Sequence, residues 1–294
     1  MPETPTVWTI RALLAWTTDF LAKKGAAPAT ARLEAQLLLA HVLRCSKMDL
    51  LLRHEEQPGE AERGEYRTLI QRRVDGFPVA YLIGSREFYL LSFEVTPAVL
   101  VPRPETETLV AEALRLLKPL EQPKVLDMCT GSGCIGISVA HQKADAIVTA
   151  ADVSPDALDV ARRNAAKHGV ANRMHFTQGD LFAALPPGSL FHAILCNPPY
   201  VTPGELANLA PDVREHEPRL ALDGGPDGLA FYRRIAAEVE GFLAPGGFLL
   251  LEIGATQDAA VAAILAERPG LEVGKVLKDA AGLPRVVAAR RRAA

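Results

Sequence analysis

The chain has 294 residues, 49% of them hydrophobic, and a formal net charge of -3. That length suggests two domains and is ample for a large core. With no apolar run of about 18 residues and no basic-apolar leader over Met1 to Ile10, membrane spanning and secretion are not expected and the protein reads as cytoplasmic. Lys and Arg against Asp and Glu number 11 and 10 over residues 1–84, and 21 and 25 over the rest; neither part has the basic surface that duplex binding by phosphate neutralisation demands.

Residues 1–84 read as a small helical bundle. Ile10, Leu13, Leu14, Thr17 and Leu21 recur at helical spacing, and Lys23-Lys24-Gly25 supplies cations in the last turn with glycine beyond. Leu33, Leu37 and Ala40 open a second helix. Ser46 and Asp49 are spaced as a cap before Leu50-Leu51-Leu52, and Tyr66, Leu69, Ile70 and Val74 mark another helix. From Gly76 the texture changes to short alternating runs through Phe88-Tyr89 and Phe93-Glu94-Val95, which suggest a hairpin linker over residues 85–101. Pro102-Arg103-Pro104-Glu105-Thr106-Glu107 then delays a helix until Thr106, after which Leu109-Val110, Ala113-Leu114 and Leu117 open a second domain, residues 102–294.

The chemistry-bearing residues follow in order. Val125 to Met128 is a strand that runs through Cys129-Thr130-Gly131-Ser132-Gly133 into a helix of small and apolar residues; Gly131, Gly133 and Gly136 fit G-x-G-x-x-G, a spacing that marks a nucleotide-type turn without settling which cofactor it holds. A second strand, Ala146 to Ala151, ends at Asp152, placed to accept from both hydroxyls of a ribose. Ser154-Pro155-Asp156 after it caps and starts a helix. A third, Met174 to Thr177, leads to Gly179-Asp180-Leu181-Phe182. A fourth, Phe191 to Cys196, delivers Asn197-Pro198-Pro199-Tyr200. Two prolines fix the backbone here, so the carbonyls of Asn197 and Pro198 are aimed at a planar nitrogen; the alternative is an ordinary Pro-rich turn. Four strand ends thus converge on one crevice, where open parallel sheets bind ligands.

The block from Val125 to Tyr200 resembles the class I S-adenosylmethionine-dependent methyltransferases, in which Asn-Pro-Pro-Tyr marks transfer to an amide or exocyclic amino nitrogen. With the helical first domain, the Pro102 to Glu107 run, His216-Glu217-Pro218-Arg219-Leu220-Ala221-Leu222 and Leu251-Glu252-Ile253-Gly254, nearly the whole chain is similar to the release factor glutamine methyltransferases. The resemblance implies an α/β fold with a seven-stranded, mostly parallel sheet, one antiparallel strand near the C-terminus, and an N-terminal helical bundle that docks the protein substrate. It implies S-adenosylmethionine as cofactor, held by Cys129, Thr130, Gly131, Ser132, Gly133, Asp152, Asp180, Leu181 and Asn197. Asn197, Pro198, Pro199 and Tyr200 would grip the glutamine of the Gly-Gly-Gln tripeptide of class 1 release factors and present its amide nitrogen (N5). Arg103 to Glu105 and Glu217-Pro218 match the family without a derivable role.

Two other acceptors stay open: a glutamine of a large-subunit ribosomal protein, and nucleic-acid adenine, which the charge balance and the lack of a base-reading segment disfavour. A silent cofactor-binding module is the remaining reading, and it would be expected to have lost Asn197 or Tyr200. Cys45, Cys129, Cys134 and Cys196 include no C-x-x-C pair, so they are expected to be reduced core or loop residues with no metal. Pro245-Gly246-Gly247 is expected to be a turn between a helix end and a strand, Arg285 to Ala289 the last strand, and Arg290-Arg291-Arg292 a solvated end.

Overall fold

A computed structural model describes residues 5–293, and they fall into two compact units. The first comprises the chain up to Gly84 together with Pro211–His216; the second comprises Ser85–Ala210 and Glu217 onward.

In the first unit, helices α1 (Ile10–Lys23), α2 (Pro28–Val42), α3 (Lys47–Leu52), α4 (Glu60–Val74) and α5 (Val79–Ile83) form the bundle. Its core gathers Ile10, Leu13, Leu21, Leu38, Leu39, Tyr66 and Ile70. Local chemistry sets the starts: Thr9 caps α1 by accepting from Ala12 N, and Ser46 and Asp49 form a reciprocal capping box on α3. Leu33, taken above as opening the apolar face of α2, is instead exposed, because Ala31, Glu34, Ala35, Leu38 and Leu39 occupy that face. Val79–Ile83 is helical rather than strand-like. Pro78 precedes its first turn and Gly84, at φ 73°, ends it in the left-handed region.

In the second unit, β1 (Ser85–Phe88) and β2 (Leu91–Glu94) form the hairpin. Strands β3 (Lys124–Met128), β4 (Ile147–Asp152), β5 (Met174–Gln178), β6 (Phe191–Cys196), β7 (Leu243–Glu252), β8 (Leu271–Lys278) and β9 (Pro284–Arg291) form one sheet in the order β5-β4-β3-β6-β7-β9-β8. Pairing is parallel from β5 through β7, and β9 is antiparallel to both its neighbours. Period-two alternation feeds two cores. Leu126, Ile194, Leu249 and Leu251 face helices α11 (Ala230–Glu238) and α12 (Asp258–Ala266); Val125, Ala193, Leu195 and Leu250 face α6 (Glu107–Leu117), α7 (Cys134–Gln142) and α8 (Pro155–Lys167). Two short helices, α9 (Pro203–Leu206) and α10 (Pro211–His216), follow β6. α10 packs in the first unit, where His216 stacks on Phe77 at 4.1 Å between ring centroids.

Two expectations near the C-terminus are corrected. Pro245-Gly246-Gly247 does not precede β7 but lies within it, where pairing with β6 jumps from Phe191↔Leu243 to Ala193↔Phe248. Gly247 is needed there, since a Cβ would lie 3.0 Å from Phe191 O. The arginine tail is not a free solvated end either. Arg290 and Arg291 belong to β9; Arg290 lies over the Phe248 ring and Arg291 donates to Leu243 O.

Candidate active site

The chain reverses its direction of growth across the sheet between β3 and β6. It proceeds outward from β3 to β4 and β5, then returns to place β6 on the other side of β3. Such a switch point opens a crevice beyond the carboxyl ends of the strands. Because Met128 pairs with Cys196, the next residues, Cys129 and Asn197, leave the sheet side by side.

An open cleft of about 1060 Å³, partly continuous with solvent, occupies that position. Its walls include Cys129, Thr130, Gly131, Ser132, Asp152, Asp180, Leu181, Asn197 and Pro199 from the sequence-predicted set. Gly133, Pro198 and Tyr200 do not line it. Ala98, Val99, Leu100, Pro102, Arg103, Thr106, Pro218, Leu220 and Ala221 line it too, with Phe231 from α11.

The glycine turn is held from beneath. Asp127, fully buried on β3, accepts from Thr130 Oγ1 at 2.5 Å and from Gly136 N at 2.9 Å. Burial drives its carboxyl up to about 7 even though both hydrogen bonds favour the ionised form. Thr130 N donates to Ala151 O, and buried Asn164 donates to both Ser132 O and Glu94 O, so the turn is tied to β4 and to the hairpin.

The three glycines separate by role. A Cβ on Gly136 would lie 2.8 Å from Asp127 Oδ2, and one on Gly133, at φ 81°, would lie 2.6 Å from Ile137 Cδ1. Both serve internal close approach. Gly131, at φ 54°, has nothing within 4 Å of such a Cβ and lies on the cleft, so here the missing side chain leaves room for a ligand. Cys129 and Leu181 are also left-handed, at φ 59° and 52°, without being glycine. Strain of this kind, about 1–3 kcal/mol for each residue, clusters at functional sites.

Asp152 stands at the end of β4 with Oδ2 accepting from Gly131 N and Oδ1 from Ser154 N, both at 2.9 Å. Burial raises its carboxyl above the usual range, opposed by those backbone N–H groups. Asp180 lines the cleft but directs Oδ2 at Arg234 of α11, 2.7 Å away in an exposed pair. Asn197 Nδ2 donates over a long 3.5 Å to Thr106 Oγ1. Tyr200 is half-buried behind the turn, its hydroxyl pushed up to about 12 by burial, and its carbonyl accepts from Gln257 Nε2.

Long-range pairs complete the site. Glu217, buried, accepts from Arg103 Nη2 at 2.6 Å and from Val101 N at 3.1 Å. These two residues stand 114 positions apart, so their sequence motifs gave no sign that they pair. Thr106 lies in the Pro102 to Glu107 run but was given no place in the site, and Phe231 has no local signature. The four cysteines are free thiols. Among the described residues no group of three or more His, Cys, Asp and Glu side chains could hold a metal, and no helix is long and apolar enough to cross a membrane.

Residues 12–84 match the family described as PrmC N-terminal domain, and residues 107–214 the family described as Methyltransferase small domain. The chain is 42% identical over 287 residues to the release factor glutamine methyltransferase of Rhodopirellula baltica, covering 96% of each chain. It is 41% identical over 290 residues to that of Geobacter sulfurreducens, covering 99% of each. Among solved structures it is similar to a methyltransferase from Pyrococcus furiosus, with 19% identity, a TM-score of 0.50, and coverage of 69% of this chain and 89% of that one.

Proposed function

This chain belongs to the release factor glutamine methyltransferase family, with the α/β class I methyltransferase fold, and on that premise we propose that it methylates the side-chain amide nitrogen (N5) of the glutamine in the Gly-Gly-Gln tripeptide of class 1 release factors. The methyl donor is S-adenosylmethionine, which when bound supplies an electrophilic methyl on a sulfonium. The cleft residues fit such a donor. Gly131 leaves a cradle that a Cβ would fill, Leu181 and Phe231 offer apolar surface, and each oxygen of Asp152 retains a second acceptor position for a ribose hydroxyl beside the backbone N–H it already takes.

An amide nitrogen is a poor nucleophile because its lone pair is delocalised into the carbonyl. Asn197 Oδ1, on the cleft, accepts one of its N–H groups and orients it; the Pro198 carbonyl as second acceptor and the Tyr200 ring against the amide plane are roles that membership of the family implies for two residues set back from the open cleft. No base is needed before transfer, since the nitrogen proton becomes acidic only once the nitrogen is alkylated. Positioning and fixed dipoles together supply about 7 kcal/mol or more of barrier lowering. The side-chain orientation of Asn197 is the observation that carries this reading: its nitrogen is turned to Thr106, which leaves its oxygen for the substrate.

The test is incubation of the protein with labelled S-adenosylmethionine and a purified class 1 release factor, then peptide mapping. Label is expected on the Gly-Gly-Gln glutamine and should vanish when that glutamine is changed to alanine. Label persisting in the altered factor would overturn the assignment.

A further inference from the structure

Behind Asn197 stands a buried acid that the mechanism above does not use. Glu252 is the last residue of β7, and because Cys196 pairs with Leu251, Asn197 and Glu252 follow each other side by side at neighbouring strand ends. Glu252 is 1% exposed and Thr106 is 2% exposed. The Thr106 hydroxyl favours the charged form of the neighbouring Glu252 carboxyl, and its oxygen lies 3.5 Å from Asn197 Nδ2. Glu252 Oε2 has no hydrogen-bond partner of its own. Asn197 and Thr106 thus line the cleft, with Glu252 buried beside them.

We propose that Glu252, acting through Thr106, fixes which way round the Asn197 amide stands, so that its oxygen and not its nitrogen meets the substrate amide. The inference rests on Asn197 accepting from that amide, as read above. The logic is one of donors and acceptors. An ionised carboxylate only accepts, so Thr106 must give its single hydrogen to Glu252. The Thr106 oxygen then faces Asn197 as an acceptor and selects the Nδ2 end. With Glu252 protonated, the carboxyl can donate to Thr106, whose hydrogen is released to point at Asn197, and the flipped amide becomes equally satisfied. A flipped Asn197 sets its N–H groups against the N–H groups of the substrate. Glu252 and Thr106 are thus positioning residues: neither touches the reacting atoms.

Burial pushes the Glu252 carboxyl up to about 7, with Thr106, Arg285 and Arg103 favouring the charged form and Glu105 opposing it. Tyr200, Tyr232 and Cys134 are close enough for the Glu252 charge to raise their own pKa values. The switch between the two arrangements thus falls in the neutral range, and turnover should rise with pH as Glu252 ionises.

The experiment measures kcat, KM for both substrates and equilibrium cofactor binding, from roughly pH 5.5 to 8.5, for the wild-type full chain and for Glu252→Gln, Thr106→Val and Thr106→Ser. Wild type should show an acidic limb in kcat that Glu252→Gln lacks. Thr106→Val should lose about tenfold to a hundredfold in kcat, with KM and cofactor affinity within about threefold and an unchanged melting curve, and Thr106→Ser should restore most of the loss. An acidic limb retained in Glu252→Gln, or kcat unchanged in Thr106→Val, would overturn the inference while leaving the proposed reaction standing. If Glu252→Gln does not fold, the Thr106 pair decides alone. A wild-type protein unable to label release factor would instead overturn the reaction, and the inference with it.

Discussion

On the proposed reading, Asn197 works through the two ends of one small amide. Its nitrogen lies 3.5 Å from Thr106 Oγ1 and its oxygen would meet the substrate, so replacing it removes orientation while the other residues of the cofactor cradle stay in place. Asn197→Ala is expected to lower kcat about a hundredfold or more while cofactor affinity, measured by calorimetry, stays within about threefold; near-normal turnover would contradict the mechanism. Asp127 acts differently. Its folded-state carboxyl is pushed up to about 7 by burial, against an unfolded value of about 3.9. The native state therefore holds a proton that the unfolded chain releases between those values, and this group's contribution to stability falls as pH rises through that window. Glu252, also pushed up to about 7, acts in the same direction. Asp127→Asn should flatten the dependence of unfolding midpoint on pH between about 4 and 7. An unchanged slope in denaturant melts would show that Asp127 titrates normally.

At the scale of elements, the glycine turn and the Asn-Pro-Pro-Tyr turn are brought together by strand pairing. The turn's glycines divide into packing and ligand roles. Gly136→Ala would press a Cβ onto Asp127 Oδ2 and Val148 Cγ1 and should cost about 1–3 kcal/mol of stability, read by chemical denaturation. Gly131→Ala meets open space but takes on left-handed strain of about 1 kcal/mol at φ 54°, so beyond that cost its larger effect should be on cofactor affinity; the reverse pattern would exchange the two assignments. Much of this was legible in sequence because it is local. Strand, glycine and helix follow one another from Val125 to Ile137, and Ser154 announces the helix it caps. What was not legible depends on partners far away in the chain. Glu217 meets Arg103, Thr106 meets Glu252, and Pro245-Gly246-Gly247 bulges inside β7 only because β6 lies alongside. Val79–Ile83 has β-type residues, but the bundle core buries Ala80 and Leu82 on a helix, so tertiary burial overrode propensity.

At the scale of the whole molecule, one chain carries a helical unit and a methyl-transferring unit, and the proposed reaction brings a cofactor and a short peptide to the cleft of the second. A tripeptide offers little to distinguish one protein from another, so we propose that the helical unit supplies the selectivity. Hydrogen exchange on the full chain with a release factor bound should then show protection in α1 to α5 as well as around the cleft; protection confined to residues 98–106, 197–210 and 217–221 would remove the docking role. The central claim is the identity of the acceptor. It is tested most directly by offering labelled S-adenosylmethionine with three purified acceptors in parallel: a class 1 release factor, large-subunit ribosomal protein, and DNA. The account predicts label on the release-factor glutamine alone. Label only on the ribosomal protein would contradict the substrate while keeping the Asn197 to Tyr200 chemistry, and label only on DNA adenine would contradict both the partner and the reading of the charge balance.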